Sequence, residues 1–115
     1  MDWETLHGLC AACSRCTLGE ARHNTVFGVG PTDSPVMFVG EGPGEQEDLQ
    51  GEPFVGPAGH LLDEMLAIID LGRENCYITN IVKCRPPKNR DPLQSERDAC
   101  LPFLRQQYKM LRPKI

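Results

Sequence analysis

Val36-Met37-Phe38-Val39-Gly40 and Cys76-Tyr77-Ile78-Thr79-Asn80-Ile81-Val82 decide the class of this chain. Each is a short, continuous apolar run rich in strand-forming residues. Continuity, rather than alternation, marks a strand covered on both faces, as in parallel sheets. Between them, from Gly59 to Leu71, residues Leu61, Leu62, Met65, Leu66 and Ile69 form one apolar helical stripe, with Gly72 as the expected stop. Strand, helix and strand in that order make a βαβ unit, so the class is α/β.

Outward from this unit the pattern thins. Trp3, Leu6, Leu9 and Cys10 stand at helical spacing, which predicts a short helix from Trp3 to about Cys13. Arg22 to Pro35 reads as loop, with one short strand at Thr25-Val26-Phe27. Asp91-Pro92 resembles an N-cap followed by proline at the first helical position. The helix it opens is expected to break or restart near Pro102. Phe103, Leu104, Tyr108 and Leu111 carry its apolar face onward, and Lys114-Ile115 looks like the first step of a third strand. One such unit leaves sheet edges and helix faces uncovered. Residues 1–115 are therefore read as one domain that is the N-terminal part of a larger fold.

The 115 residues suit a single domain, and 40% hydrophobic with 24% charged residues is the balance of a globular protein. No apolar run approaches the roughly 20 residues a membrane span needs. The opening Met1-Asp2-Trp3-Glu4 is acidic where a secretory signal is basic, which predicts a cytoplasmic protein. Net charge is −4, yet it divides unevenly: residues 1–82 carry −10 and residues 83–115 carry +6. Binding follows local charge, so the C-terminal third is a candidate phosphate-facing surface, or else a solvated face balanced against an acidic one.

Six cysteines outside a secreted setting favour reduced thiols or metal ligation over disulfides. Cys10, Cys13 and Cys16 form C-x-x-C-x-x-C, while Cys84 and Cys100 stand apart. One close pair and two distant thiolates can complete an iron–sulfur cluster or a zinc tetrahedron. A zinc ribbon would pair two close motifs, and Cys84 and Cys100 do not form one. Spacing does not choose between Cys10 and Cys16 as partner of Cys13. Cys76, inside a strand, reads as a buried hydrophobe.

Gly40-Glu41-Gly42-Pro43-Gly44-Glu45-Gln46-Glu47-Asp48 follows the first strand, where open α/β sheets place ligands. It lacks the Gly-Lys-Ser/Thr of a phosphate loop and carries four acids, so it suits a neutral base and a water rather than phosphate. Phe54, amid Gly51-Glu52-Pro53-Phe54-Val55-Gly56, can plug a core or stack on a planar ligand. Asn80, near the end of the second strand, can cap structure or offer a pyrimidine both a donor and an acceptor.

Taken together, Gly40-Glu41-Gly42-Pro43-Gly44 with Glu47-Asp48, Gly51-x-Pro53-Phe54-Val55-Gly56, Thr79-Asn80-Ile81-Val82-Lys83-Cys84-Arg85-Pro86-Pro87, and the cysteines at 13, 16, 84 and 100 resemble family 4 of the uracil-DNA glycosylase superfamily. The resemblance runs from Cys13 onward. It implies a three-layer α/β/α sandwich around a parallel four-stranded sheet, of which this chain supplies about two strands and their helices. It also implies a [4Fe–4S] cluster on Cys13, Cys16, Cys84 and Cys100, leaving Cys10 and Cys76 over.

The implied activity is base-excision repair: hydrolysis of the N-glycosidic bond of a flipped-out deoxyuridine in DNA, by a monomer. On that pattern Phe54 stacks on uracil and Asn80 bonds its polar edge, while Gly40, Glu41 and Gly42 line the pocket. The family's best-known members carry an Asp where Gly42 stands, so Glu41 or Glu47 is the candidate for activating water, with Asn89 behind them. Lys83, Arg85, Lys88 and Arg90 are expected near the DNA backbone. The family's later histidine motif has no counterpart up to Ile115, and His7, His23 and His60 lie outside it. Losing an oxyanion donor costs about 10²–10³ in rate, so this chain alone is expected to be inactive. A non-catalytic iron–sulfur DNA-binding module is the alternative.

Overall fold

The computed structural model describes residues 2–13, 18 and 22–115. Its centre is a parallel pair, β1 (Val36–Gly40) beside β2 (Cys76–Asn80), in a register that sets Val36 against Cys76 and Gly40 against Asn80. Ile81 N–H and Val82 N–H donate to the carbonyls of Gly40 and Glu41, which carries the pairing past both strand ends. The loops that leave β1 and β2 therefore start side by side.

Helix α1 (Trp3–Ala11) is capped by Asp2, whose side chain accepts from Thr5 N–H at 2.8 Å. Two helices cross from β1 to β2: α2 (Glu45–Gln50) and α3 (Pro57–Ile68), the latter with proline in its first turn. A 3₁₀ turn (Pro87–Asn89) follows β2, and α4 (Gln94–Leu111) closes the chain against α1. The α/β class read from the two apolar runs is what the chain forms. Among the described residues no helix is long and apolar enough to cross a membrane.

Several details differ from expectation. Pro102 does not break α4, which runs unbroken from Gln94 to Leu111. Glu96, Cys100, Phe103, Gln107 and Leu111, all buried and spaced three or four apart, anchor the helix on both sides of the proline. The lost backbone bond is outweighed by that packing. Nor does Asp91-Pro92 cap it: Glu96 reaches back to Leu93 N–H at 2.8 Å and fixes the start there. Helix α3 ends at Ile68, before Gly72, because Asp70 adopts φ 60° and Leu71 N–H closes on the Leu66 carbonyl.

Thr25-Val26-Phe27 forms no strand. Val26 N–H donates instead to the Lys83 carbonyl, and the only pairing here is an antiparallel bridge between Val29 and Ile78. β2 is buried throughout, as expected, but β1 is not: Val39 is 46% exposed. Met37 and Val39 face an open apolar groove against Leu101, Leu104 and Tyr108 of α4. The third-strand reading of the C-terminus fits the backbone: Ile115 N–H donates to Pro35, and Met37 N–H donates to Ile115.

The core gathers where α1, the end of β2 and α4 meet. Leu6, Cys10, Leu18, Phe27, Val82, Cys84, Cys100 and Phe103 pack there, with Trp3, Cys13, Ile81 and Met110 at its edge. Trp3 meets the rings of Phe27 and Tyr77 edge-on.

Candidate functional site

Two cavities flank the C-terminal ends of the strands. The first is lined by Gly42, Gly44, Glu47, Phe54, Ala58, Gly59 and Asn80. Its two principal side chains converge on Gly40: a methyl group there would overlap Asn80 Oδ1 and stand 2.6 Å from Phe54 Cζ. Asn80 is 2% exposed, while Phe54 is half-buried. A ring and an amide on one wall, with glycine backbone between them, can grip a flat polar molecule.

Phe54 sits at φ 56°, a left-handed conformation unusual for an aromatic residue. Arg73 holds it there, donating to the carbonyls of Pro53 (2.8 Å) and Phe54 while pairing with Asp63 (3.0 Å) and Glu52 (3.3 Å). Below, Gly59 lets α3 approach the Phe54 backbone, since a methyl group there would overlap the Phe54 carbonyl. Sequence reasoning missed Arg73. A lone cation between Arg22 and Lys83, in a stretch carrying −10, was the available signal for an ion-pair partner.

Glu47 binds the pocket's two loops together. Its Oε1 accepts from Gly44 N–H (3.0 Å), and its Oε2 accepts from Val55 and Gly56 N–H (both 2.8 Å). Burial raises its carboxyl, but these backbone donors together outweigh burial and hold it below the ordinary carboxylate range. It is thus an ionised, weakly basic group in the pocket wall. Glu41 is elsewhere: it pairs with Arg97 and borders a neighbouring cleft with Pro43, Asn89 and Arg90. The Phe54–Asn80 cavity and that cleft share Gly42 and Gly44.

Asp48, 1% exposed, plays a similar staple role at the back of α2. It accepts from His23 N–H (2.9 Å), Asn24 N–H (3.3 Å) and the His23 ring (2.7 Å). Burial raises its carboxyl, yet the His23 and Asn24 donors prevail and hold it low.

The second cavity is lined by Cys10, Cys13, Cys84 and Cys100 together with Leu18, Arg22, Val82, Lys83, Ala99 and Phe103. Arg22 Nη1 donates to Cys84 Sγ at 3.0 Å, and Lys83 N–H donates to Cys100 Sγ at 3.2 Å. Burial pushes the Cys10 thiol up to about 12; Lys83 opposes this, while Cys100, Cys84 and Cys13 add to it. Cys100 is pushed up to about 11 by burial, against the Lys83 N–H and charge. The four thiols share the lining of this one cavity. Among the described residues no three His, Cys, Asp or Glu are grouped tightly enough for a metal ion. Cys16 lies outside the described residues. Cys76 is in β2 and does not line this cavity.

The expectation that Lys83 faces DNA is overturned. Lys83 is 1% exposed, and its ammonium is bonded inside the protein. It follows β2, and Gln107 of α4 supplies an acceptor 24 residues away in sequence. The other three basic candidates are not alike. Arg90 makes a two-pronged pair with Glu96 (2.8 and 2.9 Å), and Arg85 donates to Asn89 at 2.8 Å. Lys88 is exposed at the tip of the turn, with φ 54°.

Comparison with known proteins follows the same lines. The sequence profile described as the Uracil DNA glycosylase superfamily matches residues 27–115. A protein named type-4 uracil-DNA glycosylase from Archaeoglobus fulgidus is 52% identical over 104 residues, covering 90% of this chain and 52% of that protein. One of the same name from Pyrobaculum aerophilum is 49% identical over 114 residues, covering 99% and 58%. Another, from Thermotoga maritima, is 50% identical over 103 residues, covering 90% and 54%. The chain spans about half the length of these curated relatives. Both the Phe54–Asn80 pocket and the distant thiols Cys84 and Cys100 fall within the matched residues, and the chain belongs to the uracil-DNA glycosylase superfamily.

Proposed function

We propose that this chain supplies the base pocket and cluster site of a uracil-DNA glycosylase of base-excision repair, acting in the cytoplasm on uracil-containing DNA. The observation that carries this reading is the convergence of Phe54 and Asn80 on Gly40. The names of the relatives point the same way.

In this reading a uracil nucleotide leaves the base stack and enters the pocket. Phe54 stacks on the ring, and the Asn80 amide bonds the polar edge with one donor and one acceptor. Cytosine reverses that donor pattern and leaves a buried amide group unpaired, which disfavours it. Backbone groups of Gly40, Glu41 and Gly42 line the entrance. As the N-glycosidic bond breaks, cationic character grows on the sugar and negative charge on the base.

Of the two candidate acids, Glu47 is the better placed. It borders the pocket, is ionised, and keeps lone-pair capacity after accepting three N–H groups. Its lowered carboxyl makes it a poor proton acceptor, so its part is to orient water and face the sugar cation. Glu41, paired with Arg97 beyond the pocket, serves the entrance. Of the basic residues, Arg85 and Lys88 are the best placed to meet the DNA backbone, while Glu96 shares the charge of Arg90.

The thiol cavity fits an iron–sulfur group by its donor chemistry. Cys13, Cys84 and Cys100 line one cavity beside the cations Arg22 and Lys83, and cations favour the thiolate form that ligation requires. With Cys16 they would hold a [4Fe–4S] cluster, whose contribution is structural: it joins α1 to the segment after β2. The test is alkali-induced strand breakage of a uracil-containing oligonucleotide, with iron measured in the same anaerobic preparation. Breaks at uracil and about four irons per chain support the reading. DNA binding without base release identifies a non-catalytic module instead.

A further inference from the structure

Lys83, 1% exposed, is a deeply buried charge, and the bonding of its ammonium is complete. An ammonium has three N–H donors. Here they go to Thr79 Oγ1 (2.6 Å), the Asn80 carbonyl (2.7 Å) and Gln107 Oε1 (2.7 Å). Each acceptor is itself fixed. The Thr79 hydroxyl donates to the Phe27 carbonyl at 2.8 Å, which leaves its oxygen for Lys83. Gln107 Nε2 donates to that same carbonyl (2.8 Å) and to Tyr77 Oη (3.2 Å), which turns Gln107 Oε1 toward the ammonium. No buried side-chain polar atom among the described residues lacks a partner.

The same residue lines the thiol cavity, and its backbone N–H donates to Cys100. We infer that Lys83 is a positioning residue that joins the two sites, its ammonium holding the Asn80 backbone while its charge offsets the thiolates next to it. Four thiolates bring more negative charge than a cluster core cancels, and a buried cation is the natural counterweight. The inference rests on the iron–sulfur glycosylase reading and goes beyond it, since it assigns Lys83 to the interior rather than to DNA.

The test uses the protein as expressed from its gene, purified anaerobically, and compares Lys83→Met and Lys83→Arg with the wild type. Two readouts do not depend on turnover: the reduction potential of the bound cluster and the affinity for free uracil. Lys83→Met is expected to move the potential lower and to weaken uracil binding about tenfold, the loss of one charged hydrogen bond at the pocket. Lys83→Arg keeps the charge, so its potential stays near the wild-type value while uracil binding still weakens. An unchanged potential in Lys83→Met, or wild-type uracil affinity in both variants, overturns the inference. Should Lys83→Met not retain iron, Thr79→Val removes one acceptor and leaves the charge. Weaker uracil binding at an unaltered potential then supports the inference, and unaltered binding refutes it. A wild-type protein without iron or uracil binding fails the underlying reading before any variant is compared.

Discussion

Gly40 and Asn80 face each other across the β1–β2 register, and Asn80 Oδ1 fills the space a side chain at position 40 would occupy. The glycine is there for room rather than for a turn. Gly40→Ala should push Asn80 and Phe54 apart and lower kcat/KM about 10²-fold, as a displacement of this size does to a positioned group. Thermal unfolding should change far less than activity. Comparison of Tm and kcat/KM in one variant checks this.

Arg73 and Phe54 form the second pair on which the pocket depends. Arg73→Met removes both donors that hold the Pro53 and Phe54 carbonyls, and Phe54 is freed from a conformation costing on the order of 1–3 kcal/mol. Activity should fall about tenfold or more. Arg73→Met combined with Phe54→Ala should be little worse than Phe54→Ala alone, because both act through the same ring. A double-mutant cycle measures that coupling.

Acid should release the α2 anchor only once pH falls below the ordinary carboxylate range. The Asp48 carboxyl is held below its ordinary 3.8, so its stabilisation is fully present above that value and is lost as pH falls through the lower folded-state value. Asp48→Asn should destabilise the protein at neutral pH by about 1–3 kcal/mol and flatten the loss of stability below about pH 4. Urea midpoints between pH 3 and pH 7 would record both effects.

The cysteines should separate by location. Cys84→Ser and Cys100→Ser should lose iron, since both thiols line the cavity, whereas Cys76→Ala should keep it. Iron per chain, measured anaerobically, decides between them. Retention in Cys84→Ser or loss in Cys76→Ala would refute the assignment.

What could be read beforehand was whatever depends on neighbours in sequence. Val36–Gly40 and Cys76–Val82 announced themselves as strands because each is locally apolar, although the second strand ends at Asn80, and α3 did so through its stripe. Lys83 was misread for the opposite reason. A count of charges placed it with the basic segment, but its environment is set by Gln107, which arrives from another helix. Helix α4 likewise survives Pro102 through tertiary packing that no local propensity contains. At the site, Phe54 and Asn80 could be named as candidates from sequence, but their meeting across Gly40 follows from strand register. Glu47 was visible as an acid near the loop, while its three backbone donors lie on either side of a chain reversal that only the fold brings together.

Base release by Asn80→Asp tests the pocket most directly. The substitution keeps size and removes the donor half of the amide, so uracil release from single-uracil oligonucleotides should fall about 10²–10³-fold, with binding to undamaged DNA unchanged. Wild-type uracil release by that variant would contradict the claim that Asn80 reads the base.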